Sequence, residues 1–143
     1  MREIKYRMWN KKEKKMYKVG VLDFDDEKAY IKNYLSYTVS NYMFEDIELM
    51  QYTGLHDKNG KEIYEGEIIK IKYRKGFKFG EPIYEIFIAK VNYNSAYTSF
   101  VTENCNPENI CHECENLGDY KDIEVIGNIY ENPELLKGVD NIE

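Results

Sequence analysis

The stretch from Glu48 to Tyr73 constrains the fold more than any other part of the chain, because it consists of short β-type runs cut by glycine turns. Leu49, Met50, Gln51, Tyr52 and Thr53 form one run, which is expected to end at Gly54. Asp57, Lys58, Asn59 and Gly60 then supply a turn whose Asn-Gly pair accepts the positive φ that a tight reversal demands. A short strand, Glu62 to Tyr64, precedes a second turn at Glu65 and Gly66. The run from Glu67 to Tyr73 sets Ile69, Ile71 and Tyr73 on one side against Lys70 and Lys72 on the other. Strands this short, joined by glycine turns, favour a small barrel.

The flanking segments extend this β reading. Ile4, Tyr6 and Met8 alternate with Lys5, Arg7 and Trp9, the period-two pattern of a half-buried strand. The charged run Asn10 to Lys15 interrupts the hydrophobicity before Met16 to Val19 resume it, which predicts a hairpin with a charged tip. Val21 to Phe24 lead into the acidic turn Asp25, Asp26, Glu27. Over residues 31–44 the period is ambiguous: Ile31, Tyr34 and Leu35 suit a helix, while the Tyr, Thr and Val content through Val39 suits strands, and the strand reading is preferred. After a loop expected from Gly76 to Gly80, Tyr84 to Tyr93 is apolar on both faces near its middle, as in a strand covered on two sides by its own core and a neighbouring element, or at a subunit contact. Ala96 to Thr102 offers another strand. Residues 103–122 form a long polar loop, and Ile123 to Tyr130 a last strand in which Gly127 signals a bend or a close backbone approach. Asn132 and Pro133 open a short helix as N-cap and first helical residue.

The expected fold class is therefore mainly β: one domain over 1–143, a small, partly open barrel extended by an N-terminal hairpin and a short C-terminal helix. Its divisions are N-terminal strands over 1–47, the barrel core over 48–102, the polar loop over 103–122, and the final strand and helix over 123–143. With 143 residues there is length for one substantial core. Hydrophobic residues at 43%, including 14 Tyr, exclude a disordered chain. No run approaches the roughly 20 apolar residues of a spanning helix, and the first twenty residues build no signal-peptide core, so a soluble, cytosolic protein without a membrane partner is expected.

The net charge of −6 is unevenly placed. Residues 1–20 hold eight basic residues against Glu3 and Glu13, a net +6, whereas residues 101–143 hold eleven acids against Lys121 and Lys137, a net −9. Such ends can meet within one molecule or between copies, or can be ordinary solvated surface.

Three features of the sequence are candidates for chemistry. Cys105, Cys111 and Cys114, with His112 inside the Cys-x-x-Cys pair, hold half of a zinc motif; inert reduced thiols are the plainer reading and a redox pair the weakest. No cofactor is expected. His56 beside Asp57 reads as a solvated turn pair, no nucleophile motif accompanies it, and no catalytic residue is assigned, which argues against an enzyme. Lys70, Lys72, Arg74, Lys75 and Lys78 interleave with Tyr73, Phe77 and Phe79, a basic aromatic segment suited to nucleic acid. The global negative charge opposes that reading, and aromatics in the core with lysines on the wet face would need no ligand.

Three blocks carry a resemblance. The opening Ile4 to Lys12, the central Glu48 to Ile69 and the closing Val125 to Leu136 are similar to the YopX family of small phage and prophage proteins. The resemblance implies a mainly β, SH3-like barrel core, phage ancestry and the cytoplasm of a bacterial host. It implies no activity, and the stretch around Cys105, Cys111 and Cys114 lies outside the matching blocks. The expectation is a non-enzymatic accessory protein that binds protein partners of phage or host origin, beginning with itself as a homo-oligomer. The alternative is a nucleic-acid-binding barrel using residues 70–79.

Overall fold

A computed structural model of the chain describes residues 1, 3–33, 35–96, 98–104, 117 and 120–136. Among the described residues the fold is mainly β, with a curled half-barrel sheet, and is helical only in short 3₁₀ turns. Two compact units divide the chain, Met1–Gly54 and Leu55–Glu143.

In the first unit, β1 (Tyr6–Asn10) pairs antiparallel with β2 (Lys15–Lys18), the expected hairpin with a charged tip. The Asn10 side chain holds that tip by accepting the backbone N–H groups of Lys12 and Glu13. A second sheet runs in the order β3 (Val21–Asp23), β4 (Lys28–Asn33) and β5 (Thr38–Met43). Within residues 31–44, whose period allowed either reading, the end of β4 and the whole of β5 are strand. The Asp23 carboxylate accepts the N–H groups of Asp25 and Asp26 in the acidic turn, and the Asn33 amide oxygen does the same for Leu35 and Ser36. A 3₁₀ turn, Phe44–Asp46, leads into β6 (Ile47–His56), which pairs with β1 on its other side.

Met8, Ala29 and Ile47 centre the apolar cluster of this unit. Alternation misassigned one edge of it. Trp9 is buried although it falls in the polar phase of the pattern, so that β1 is covered on both faces at Met8 to Asn10, while Ile4, in the apolar phase, is exposed ahead of the strand. Beside the cluster, Tyr17 stacks on Tyr42 at 5.9 Å and donates to Glu13. That hydrogen bond to a carboxylate, with burial, pushes the Tyr17 phenol up to about 12.

In the second unit, β7 (Glu62–Tyr64) and the Gly66 turn, with φ of 77°, precede a four-stranded antiparallel sheet. Its order is β10 (Ser99–Asn104), β9 (Glu81–Asn94), β8 (Glu67–Lys78), β11 (Ile123–Asn128). Ile69 and Ile71 of β8 pack with Ile63, Ala89, Val91, Phe100, Leu117 and Ile123 as one core. Glu67 is buried as well, its carboxylate accepting the Tyr64 N–H across the turn.

Three expectations are corrected here. Gly54 does not end its strand: β6 continues through it to His56 with a positive φ at the glycine. Residues 76–80 are not an open loop, since β8 runs to Lys78 and β9 begins at Glu81. The C-terminal helix is only a 3₁₀ turn, Pro133–Leu136, and the Asn132 side-chain oxygen accepts the Asn128 N–H behind it. At Gly127 the anticipated close approach is present: a Cβ there would lie 2.6 Å from Asn132 Oδ1 and 2.9 Å from its Cβ.

Candidate interaction surface

The β8–β9 hairpin outgrows the sheet that carries it. β10 covers β9 from Ala89 to Asn94 only, and β11 covers β8 from Glu67 to Ile71, with one more bond from the Lys72 N–H to Asp122. Beyond those limits, among the described residues, β8 and β9 pair only with each other, from Tyr73 opposite Glu85 to Lys78 opposite Glu81. The result is a two-stranded arm. Its tip is Phe79-Gly80, with φ of 50° and 85°, the positive pair that a type I′ reversal requires.

The register separates the two faces of the arm, because directly opposed residues of an antiparallel pair share a face. The inner face continues the core: Ile69 lies opposite Ala89, Ile71 opposite Phe87, and Tyr73 opposite Glu85. There the Tyr73 hydroxyl donates to Glu85 Oε2 at 2.6 Å, Lys75 Nζ lies 3.2 Å from the same oxygen, and Tyr73, Phe87 and Tyr120 form an edge-to-face chain. The arm is anchored by this face.

The outer face sets Lys70, Lys72 and Arg74 of β8 opposite Ile88, Ile86 and Tyr84 of β9. A bulge between Arg74 and Gly76 takes up one residue, so Phe77 rather than Gly76 falls opposite Pro82 on this side. Both acids of the arm, Glu81 and Glu85, project to the inner face. Phe77 is 63% exposed, Tyr84 52% and Ile86 60%, and Phe79 at the tip is 96% exposed. Each ring carries a cation: Lys72 Nζ is 4.6 Å from the Tyr84 centroid, the Arg74 guanidinium 5.0 Å from Phe77, and Lys78 Nζ 5.9 Å from Phe79.

The structure therefore gathers the basic aromatic segment predicted from sequence, and divides it. Lys72, Arg74 and Phe77 line the outer face, with Phe79 at the tip and Lys78, opposite Glu81, beside it. Tyr73 and Lys75 belong to the inner face. Lys70 is 3.1 Å from Glu124 of β11, which also holds Lys58. The two ammonium groups hold the Glu124 carboxyl below its ordinary range, and Glu124 raises Lys58. Tyr84 and Ile86, the apolar half of this surface, belong to the strand that the sequence reads as covered on two sides or placed at a subunit contact. Cover is present at the base, where Ala89 and Val91 are buried, and absent along the arm, where Tyr84 and Ile86 are exposed.

His56 and Asp57 do not form a solvated pair. The Asp57 carboxylate is buried and accepts N–H groups from Asn59, Lys61 and Val125 at 2.8, 2.9 and 3.0 Å. Burial alone would raise its pKa, and the backbone donors reverse this, holding the carboxyl below its usual range. Cys105, Cys111, Cys114 and His112, considered for metal, lie outside the described residues. Among the described residues no group of three or more His, Cys, Asp or Glu side chains is placed to hold a metal ion, and no helix is long and apolar enough to cross a membrane.

Residues 5–137 match the family described as YopX protein, a span that includes the arm and both units' sheets. The chain belongs to the YopX family. No curated protein matches this YopX-family chain. Among solved structures it is similar to the crystal structure of protein EF1440 from Enterococcus faecalis, with a TM-score of 0.57 and 28% identity, over 95% of this chain and 99% of that one.

Proposed function

We propose that this YopX-family chain is a non-enzymatic, cytoplasmic accessory protein of phage ancestry whose task is to bind protein, first of all a second copy of itself, through the outer face and tip of the β8–β9 arm. Phe79 carries the reading. A phenyl ring that is 96% exposed contributes almost no burial to its own chain, and its left-handed backbone costs stability that an asparagine or glycine would not. Its use therefore lies in contact with another molecule.

Charge supports a second copy as that molecule. Residues 70–88 hold five basic and two acidic residues, a net +3, while the rest of the chain, with 15 basic and 24 acidic residues, is at −9. An arm docking on the acidic remainder of a neighbour is attracted, whereas arm against arm would oppose Lys72 and Arg74 to their own copies. Such a contact is heterologous. The three cation–ring pairs favour one other reading, a single-stranded nucleic acid stacked along the same face.

Light scattering on the purified chain at low and high salt tests the proposal. The expected result is a mass above 17.1 kDa at tens of micromolar protein that falls as salt rises, with the fall abolished in a Lys72→Glu/Arg74→Glu variant. A salt-dependent mass that this variant leaves unchanged, or a monomer at every salt concentration, would overturn it. Saturable, salt-dependent anisotropy of labelled oligothymidylate, lost in the same variant, would replace it with the nucleic-acid reading.

A further inference from the structure

The three-stranded sheet of the first unit ends in β5, and among the described residues no strand covers the outer edge of β5. Natural edges of this kind are usually blunted by charge, proline or a bulge. This one is not: residues 33–44 contain no charged side chain and no proline, and β5 pairs with β4 residue for residue from Thr38 to Met43 without a register shift. The turn leading into it shows the same signature as the arm tip. Tyr37 is 95% exposed at a φ of 52°, and Leu35 and Val39 beside it are exposed as well.

We infer that β5 is a self-pairing edge, on which β5 of a second copy adds antiparallel to make one six-stranded sheet across a two-fold axis. Strand addition to an identical strand places like residues near each other, so a charged edge would repel its copy; an uncharged one does not. The ends of β5 are complementary under that operation. Lys32, opposite Val39, is exposed at the Thr38 end, and Glu45 and Asp46 are exposed just past Met43. An antiparallel copy brings the lysine end of one chain to the acidic end of the other, twice. Centred on Ser40, the pairing sets Val39 against Asn41 and Thr38 against Tyr42 of the second copy, giving the exposed Val39 side chain a neighbour that the isolated sheet lacks. The inference does not depend on the arm: it concerns another unit, is isologous where the arm contact is heterologous, and rests on backbone pairing that salt leaves largely intact.

The test uses two double variants at exposed positions, Val39→Lys/Asn41→Lys and Val39→Glu/Asn41→Glu, with mass measured by light scattering at high salt, where the arm contact is screened. The wild type is expected as a dimer, each double variant alone as a monomer with self-association weakened at least about tenfold, and an equimolar mixture of the two as a restored one-to-one dimer at lower salt, since lysine then faces glutamate. Adding Phe79→Asn to both chains of the mixture should leave that dimer unchanged. A wild-type monomer at high salt, double variants that keep the wild-type mass, or a mixture that stays monomeric would overturn the self-pairing edge. None of these results bears on the salt-dependent contact of the arm.

Discussion

The carboxylate of Asp57 accepts the backbone N–H of Val125 at 3.0 Å, joining the turn before β7 to a strand 68 residues further along the chain. The other carboxylate oxygen accepts Asn59 and Lys61 within the turn. One side chain thus fixes a reversal and the position of β11 on the sheet that carries the arm.

Replacing Asp57 with Ala should cost about 2–4 kcal/mol, because it leaves buried N–H groups without their acceptor. The depressed pKa gives the sign of the pH dependence: the contribution is complete above the unfolded value of roughly 3.9 and is lost as pH falls through the lower folded value. Urea unfolding of wild type and Asp57→Ala is therefore expected to show a constant gap from neutral pH to about 5, closing below about 4. A gap that persists unchanged in strong acid would mean that the ionised carboxylate is not what the backbone donors recognise.

Gly127 should tolerate no side chain while Asn132 keeps its own. A methyl group there meets the Asn132 Cβ and amide within 2.9 Å, and Gly127→Ala is expected to destabilise the chain by about 1–3 kcal/mol. The double variant Gly127→Ala/Asn132→Gly should recover part of that loss, since the obstructing atoms are gone. Thermal unfolding of the three proteins reads the coupling, and strict additivity would show that the clash is relieved by backbone movement instead.

Glu124 links the base of the arm to the sheet through Lys58 and Lys70. All three groups are solvent-exposed enough that Glu124→Gln should barely move the melting temperature. It removes the counter-charge of Lys70, however, and so makes the outer face more positive. The expected consequence is tighter salt-dependent self-association at low ionic strength, seen as a higher mass at the same protein concentration; an unchanged salt profile would detach Lys70 from the docking surface.

What could be read from the chain follows from how local each signal is. The turns at Gly60 and Gly66 and the alternation of Ile69, Ile71 and Tyr73 are local, and they place the core strands without further information. Trp9 misleads because alternation assumes one wet face, whereas β1 buries the consecutive residues Met8, Trp9 and Asn10 and is therefore covered on both faces. The arm was half legible for a related reason. Its cations and rings stand out in composition, but an apolar run such as Tyr84 to Ile88 reads equally as covered by its own fold or as a subunit contact. Only the pairing limits of β10 and β11 show where cover ends. Asp57 could not be found at all from spacing, since its third partner is distant in sequence.

Phe79 separates stability from use. In the first left-handed position of a two-residue reversal ahead of glycine, asparagine is the favoured residue, and a phenyl group is strained without gaining burial. Phe79→Asn is thus expected to raise stability by roughly 0.5–1 kcal/mol, the size of a relieved left-handed conformation at an exposed turn. The same change removes the most exposed ring of the arm and the partner of Lys78, so the salt-dependent association should weaken by about tenfold, a ring's contribution at the centre of a contact being worth more than 1 kcal/mol. Unfolding midpoints and light scattering on one preparation measure both effects together. Opposite movements of the two would mark the tip as a contact that this chain maintains against its own stability; if stability and association both fell, the ring would be supporting the hairpin, and the docking surface would have to be sought along Tyr84 and Ile86 alone.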